Sequence, residues 1–417
     1  MRSPNGGGRS VVTGTALIVA GVLPGFLTAS LAPRIRDDFS FGDSTLGLAV
    51  AIFYLTCTAF STPSGHLVER IGARRGMLLG AALTATACLA VAALAQSAAA
   101  LIAVLLVGGL GNAIGGPAVS ALLRRTVDTG RHGLAFGAQQ SGASIGALLA
   151  GVALPAVAIP FGWRWAYVVA AGLAVAAVVL APVPGPGEPP RLAAHAERAH
   201  NITSIRALAV AAVLASAAGV GFISFLVTYS VDQGIGEGAA GLLLGAVSLA
   251  ATISRVGLGV IADRSRADPL RLTALTLAGS VAGYLLLIAG EPAVIVLAAL
   301  VVGSIGWSWP GTLTLAVVFR RPEAPAWAVG VMMSGLFAGA AGGPLLVGLL
   351  AEHDHFTAAW SLCAGLALAA AVTIALTRRF ERAAAAPVDL EARGPVDPSS
   401  RVGNRRRRSE ERAWKVR

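Results

Sequence analysis

Apolar runs of about twenty residues follow one another along almost the whole chain, parted by short charged or glycine-rich breaks. No other feature limits the fold so strongly. A helix needs roughly 20 mostly apolar residues to cross the hydrocarbon of a bilayer. Twelve stretches qualify: about 11–33, 44–64, 76–95, 98–123, 133–159 and 163–182, then 206–231, 239–262, 270–289, 293–318, 326–350 and 357–377. Only 13% of the 417 residues are charged, half the share of about 25% usual in soluble domains. So much apolar surface cannot be hidden in a water-soluble core. The alternation expected of transmembrane barrel strands is missing, and the predicted fold class is an all-α membrane protein with twelve transmembrane helices.

Charge then sets the expected orientation. With both termini in the cytoplasm, the inner loops and the N-terminus hold sixteen arginines, whereas the outer loops hold Arg34, Arg36 and Arg164. Basic residues collect on the cytoplasmic side, so this asymmetry predicts both the orientation and an even span count. It also accounts for the net charge of +11 without nucleic acid, and makes anionic lipid the expected partner of the basic loops. The first apolar run is longer than the core of a cleaved signal peptide and is expected to stay as span 1. Cys57, Cys88 and Cys363 sit singly inside apolar runs and read as small core residues.

The chain repeats itself. Gly65, Glu69 and Arg70 in "GHLVER" match Gly259, Asp263 and Arg264 in "GVIADR" at an offset of 194 residues. "SGASIG" at Ser141 and "SGLFAG" at Ser334 are 193 apart, as are Pro117 and Pro310. Between the two sets lies "PVPGPGEPP", the longest internal break. The expected organisation is a six-helix half over 1–182, a cytoplasmic linker over 183–205, a second six-helix half over 206–378, and a basic tail over 379–417. The tail's composition is that of a disordered segment.

Two parallel six-helix repeats joined by a linker are a transporter layout. Gly65-x-x-x-Glu69-Arg70-x-Gly72-x-Arg74-Arg75 resembles the signature loop between spans 2 and 3 of the major facilitator superfamily, G-x-x-x-D-[RK]-x-G-x-[RK]-[RK], with glutamate in place of aspartate. The resemblance covers residues 11–380. It implies that Glu69 sits at the cytoplasmic end of span 2 facing the start of span 11, near Pro325, and forms a gate when that side is closed. A carboxylate is favoured beside the partial positive charge of a helix N-terminus. By the repeat, Asp263 would face the start of span 5. The expected gating set is Gly65, Glu69, Arg70, Gly72, Arg74, Arg75, Gly259, Asp263 and Arg264.

Within the spans one charge stands out. Arg255 lies eight residues before Asp263, about 12 Å into the apolar run at 1.5 Å per residue. An arginine there is expensive and is a functional candidate by default. Gln139 and Gln140 lie at a similar depth in span 5. Arg255-x-x-x-Gly259-x-x-x-Asp263 resembles span 8 of the monocarboxylate-transporter branch, where the arginine binds a substrate carboxylate. Ala251 stands where that branch has an acid, which weakens the case for proton coupling. Span 4 has Leu105 and Gly108 in place of the arginine and glutamine of proton-linked relatives. Span 5 lacks the glycine-proline pair of drug antiporters. Asn112, Trp307 and Trp309 complete the expected substrate-binding set.

No catalytic constellation, nucleotide loop or metal-ligand spacing is present, so neither an enzyme nor a cofactor is expected. The function expected is secondary active transport of a small organic solute, an organic anion above others, by a monomer in the plasma membrane. A drug or metabolite exporter of the same superfamily is the alternative, and a non-transporting receptor or scaffold the second. A coupling proton stays open.

Overall fold

The computed structural model describes residues 6–39, 43–181, 195–265, 267–351 and 355–385. They are helical throughout, with short turns between helices. The spans are α1 (Gly6–Ser30), α2 (Asp43–Ile71), α3 (Ala73–Leu94), α4 (Ala98–Thr126), α5 (His132–Ala153) and α6 (Trp163–Val179). They continue as α7 (His195–Asp232), α8 (Glu237–Ser265), α9 (Pro269–Leu287), α10 (Pro292–Val301 and Trp309–Arg320), α11 (Pro325–Ala351) and α12 (Phe356–Ala385). Eleven are long and apolar enough to cross a membrane, and α6 is a shorter apolar helix. Residues Met1–Arg378 form one compact unit. Most of the expected linker, and the expected tail beyond Ala385, lie outside the described residues. The linker's last part is helix, because α7 begins at His195.

Three departures from straight helices trace to proline. The first predicted run ends in a turn at Leu31, and a short helix, Ala32–Phe39, starts with Pro33 in its first turn, a position where no N–H is needed. In α5, Pro155 has no N–H for the preceding turn, and the chain widens into a π turn at Leu154–Ala158 before a last turn at Ile159–Phe161. In α10, Pro310 cannot donate to the Gly306 carbonyl. The helix opens into a π turn at Val302–Gly306 and restarts at Trp309.

Small residues let the helices pack backbone to backbone, as expected where lipid supplies no hydrophobic drive between helices. Gly335, Gly339 and Gly343 form a stripe at four-residue spacing on α11. A Cβ at any of them would run into the carbonyl of Ala209, Val213 or Ala217 on α7. The surface is the reverse of a soluble protein's: Leu242, Val179 and Leu345 lie more than two-thirds exposed, as side chains facing lipid would. Inside the second half, Phe222, Tyr229, Tyr284 and Trp360 interlock edge to face.

Candidate functional site

Two seams join the first six helices to the last six, α2 against α11 and α8 against α5. At one end of the bundle each seam closes on a carboxylate. Oε1 of Glu69 accepts the backbone N–H of Ala326 at 2.5 Å and of Trp327 at 3.3 Å, in the first turn of α11. Oδ1 and Oδ2 of Asp263 accept from Gly133 N–H at 2.7 Å and Leu134 N–H at 2.8 Å, in the first turn of α5. The residue before α5, Arg131, provides no side-chain cap. Asp263 therefore satisfies, from another helix, donors that the helix start leaves open.

Glycine permits this approach. A Cβ on Gly65 would lie 2.5 Å from the Ala326 carbonyl oxygen, and one on Gly259 would collide with the Gly133 carbonyl. Gly72, at φ 88°, forms the turn from α2 into α3, in backbone space that L side chains rarely enter. Arg70, Arg74, Arg75 and Arg264 are exposed at this end.

Further along, the seams remain tight to about mid-helix. Thr62 and Ser334 share a hydroxyl hydrogen bond of 2.9 Å, and the Tyr54 and Phe337 rings lie 6.4 Å apart. On the other seam Gly137 packs against the Arg255 carbonyl, and Ser141 Oγ donates to Thr252 O at 3.4 Å.

Between the seams lies a cavity of about 200 Å³, walled by side chains such as Ile18, Val22, Phe26, Leu336 and Phe337. Arg255 is its one charged lining residue among the described residues, and is only 2% exposed. Its Nε donates to Trp307 O at 2.7 Å, and Nη1 donates to Gln140 O at 2.9 Å and to Ser144 Oγ at 2.8 Å. The guanidinium lies 5.1 Å from the centre of the Trp307 ring, within cation–π range. The α10 break turns the Trp307 carbonyl toward this guanidinium, while the Trp307 indole N–H holds Gly219 O at 3.2 Å. Among the described residues no carboxylate pairs with Arg255.

The other expected substrate residues divide. Gln140, Asn112, Trp307 and Trp309 line the cavity with Arg255. Gln140 Nε2 donates to Thr314 Oγ1 at 2.7 Å, and Asn112 Nδ2 to Cys57 Sγ at 3.4 Å. Gln139 does not line it, which corrects the expected pairing with Gln140. Its carboxamide exchanges hydrogen bonds with Ser120 and donates to Gly116 O on α4, and it is wholly buried. Successive helical residues point about 100° apart, so only one glutamine of the pair faces the cavity. Sequence reasoning missed Ser144, which was within reach: it lies one turn after Gln140 on the same helix face.

Two acids outside the spans hold the ends of the bundle. Asp268 caps α9 through Leu270 N–H at 3.0 Å and accepts from Arg378 Nε at 2.6 Å, with Arg320 at 3.9 Å. Burial would raise its pKa, but the Arg378 and Leu270 hydrogen bonds and the charges of Arg320 and Arg378 outweigh burial and hold it below the usual value. At the opposite end, Asp38 accepts from Trp163 Nε1 at 2.7 Å and Arg164 Nη1 at 2.9 Å. The Trp163 bond, with the Arg164 bond and charge, lowers its pKa against a smaller opposing effect of burial.

A family model described as Major Facilitator Superfamily matches residues 13–327, and the chain belongs to that superfamily. It is a multi-pass membrane transport protein and not an enzyme. Over 378 residues it is 28% identical to a chloramphenicol resistance protein of Streptomyces lividans, covering 87% of this chain and 94% of that protein. Its fold is similar to the human organic anion transporter MFSD10, with TM-score 0.73 and 16% identity over 89% of this chain and 100% of that one. It is equally similar to the E. coli fucose:proton symporter FucP, with TM-score 0.73 and 15% identity over 88% of this chain and 98% of that one. These likenesses concern the fold. None of them bears on the likeness of span 8 to the monocarboxylate-transporter branch.

Proposed function

We propose that this chain carries a small organic anion across the plasma membrane by alternating access, with both termini and the Glu69–Asp263 end in the cytoplasm. The observation that supports the anion is Arg255: a guanidinium 2% exposed, lining the central cavity, with no carboxylate partner among the described residues. A buried charge left uncompensated is costly, and an anionic solute offsets that cost on binding. In this reading Gln140, Asn112, Trp307 and Trp309 complete the site. Glu69 and Asp263 latch the cytoplasmic side shut, so the solute enters from the opposite side. The two six-helix halves rock about the cavity as units, the arginines of the signature loop hold orientation against lipid phosphate, and the transporter works as a monomer.

The test is solute counterflow in proteoliposomes with a panel of organic acids, with and without a pH gradient. Wild-type protein is expected to exchange at least one acid, and Arg255→Ala to abolish that exchange while keeping its fold. Equal exchange by Arg255→Ala rejects the anion site, and a requirement for the gradient adds a coupling proton.

A second reading, drug efflux, is supported by the 28% identity to the chloramphenicol resistance protein across 94% of its length. It predicts that counterflow of chloramphenicol, an uncharged solute, survives Arg255→Ala.

A further inference from the structure

Charge alone does not select one solute from another, and the cavity offers more than charge. Arg255 has committed Nε and both hydrogens of Nη1 to Trp307, Gln140 and Ser144, leaving Nη2. Three other residues that line the same cavity carry a polar group with no hydrogen bond to any described residue: Trp309 with its indole N–H, and Ser216 and Tyr54 with their hydroxyls. Trp309 and Ser216 are each only 3% exposed. A helical serine commonly returns its hydroxyl to the carbonyl one turn back, as Ser248 does to Leu244 O at 2.9 Å. Ser216 does not. An indole N–H can only donate, and one bordering a cavity without a protein partner is left for a solute or water to accept.

These groups come from three helices. Ser216 is on α7, packed beside Gly339. Tyr54 is on α2, beside Phe337. Both therefore flank the same stretch of α11, and Trp309 opens the second segment of α10. Resting on the reading that the solute occupies this cavity, we infer that Trp309, Ser216 and Tyr54 form a second, uncharged subsite, which binds a neutral oxygen acceptor on the body of the solute. The class of solute is an acid with a flat, mostly apolar body, matched by the aromatic walls Tyr54, Phe337 and Trp307, that also carries an ether, carbonyl or nitro oxygen. The subsite gives specificity of the strong kind. A site built to hydrogen-bond a group discriminates against an isostere lacking it, because its own donors are then left unpaired.

The experiment uses the full chain in proteoliposomes. Benzoates bearing a methoxy group at ring position 2, 3 or 4 compete against counterflow, each beside its ethyl isostere, and 4-methoxybenzyl alcohol serves as the neutral control. For the best pair the methoxy acid is expected to bind about three- to tenfold more tightly, the range of one net hydrogen bond. Trp309→Phe, Ser216→Ala and Tyr54→Phe combined should bring that ratio to one. By isothermal titration of the purified full chain, which needs no exchange, Arg255→Ala should weaken both acids together and preserve the ratio. Equal binding of every pair by wild type, a ratio unchanged in the triple variant, or no binding of any methoxy compound overturns the subsite. If the alcohol competes as well as the acid and Arg255→Ala changes neither, the anion reading fails while a persisting methoxy preference keeps the subsite.

Discussion

The seam between α2 and α11 and the seam between α8 and α5 are two copies of one plan, yet only the second carries the charge. Gly65 and Gly259 occupy the same place in the repeat, as do Glu69 and Asp263, and Ser61 and Arg255. The partners repeat too. Gly330 packs on the Ser61 carbonyl as Gly137 packs on the Arg255 carbonyl. The side chains differ. Ser61 returns its hydroxyl to Cys57 O on its own helix at 2.7 Å, whereas Arg255 crosses to α5. Proline repeats the lesson. Pro117 sits inside an unbroken α4, while its counterpart Pro310 follows the opening of α10 that turns Trp307 toward Arg255. Duplication supplied the backbone twice, and the buried charge, with the broken helix that holds it, was built in one copy.

The largest effects should come from the shared backbone. Gly259→Ala places a methyl against the Gly133 carbonyl and Gly65→Ala one against the Ala326 carbonyl. Neither obstacle is a flexible side chain, so each seam must part at the top of the overpacking range, about 3 kcal/mol or more. Labelling of an introduced Ala143→Cys from the Glu69 end should rise in both. A rise in only one would break the equivalence of the seams.

Next come the carboxylates. Asp263 meets two N–H groups with two oxygens at 2.7 and 2.8 Å, whereas Glu69 serves both of its donors with one oxygen at 2.5 and 3.3 Å. Asp263→Asn turns an amide against one donor and should cost about 1.5–3 kcal/mol, the range for hydrogen bonds to charged groups. Glu69→Gln can still accept with its remaining oxygen and should cost about 1 kcal/mol. The same cysteine labelling checks the order, and a larger opening from Glu69→Gln would show that oxygen count does not set latch strength. Glu69→Asp sharpens the comparison, since removing one methylene tests whether the first seam can take up the two-oxygen grip.

Much of this was legible before any coordinates. The spans could be counted because bilayer thickness imposes a length on each. The paired carboxylates at the starts of α11 and α5 could be located because duplication leaves a constant offset. Arg255 announced itself as a charge in an apolar run. What could not be read depended on direction or on distant partners. Gln139 and Gln140 are neighbours in sequence and face different helices in the fold. The role of Asp268 could not be read either, because its partners Arg320 and Arg378 lie 52 and 110 residues away in sequence.

Asp268 yields the last and smallest test of the two copies. At the offset of 194 its counterpart is Arg74, so the same turn carries an exposed cation in one half and an arginine-bound anion in the other. Because the folded pKa of Asp268 lies below its ordinary value, its contribution is present above the unfolded pKa and is lost as pH falls through the folded one. The pair is partly exposed, with side chains 20% and 24% accessible, so the contribution should stay near the ~1 kcal/mol ceiling of surface pairs. Thermal unfolding in detergent should show wild type losing stability relative to Asp268→Asn as the pH is lowered below about 4, where free aspartate titrates. The difference should be steady at neutral pH, and Arg74→Ala should leave this pH profile unchanged. An Asp268→Asn curve parallel to wild type through the acid range would mean that the two turns, despite opposite charge, contribute alike to stability.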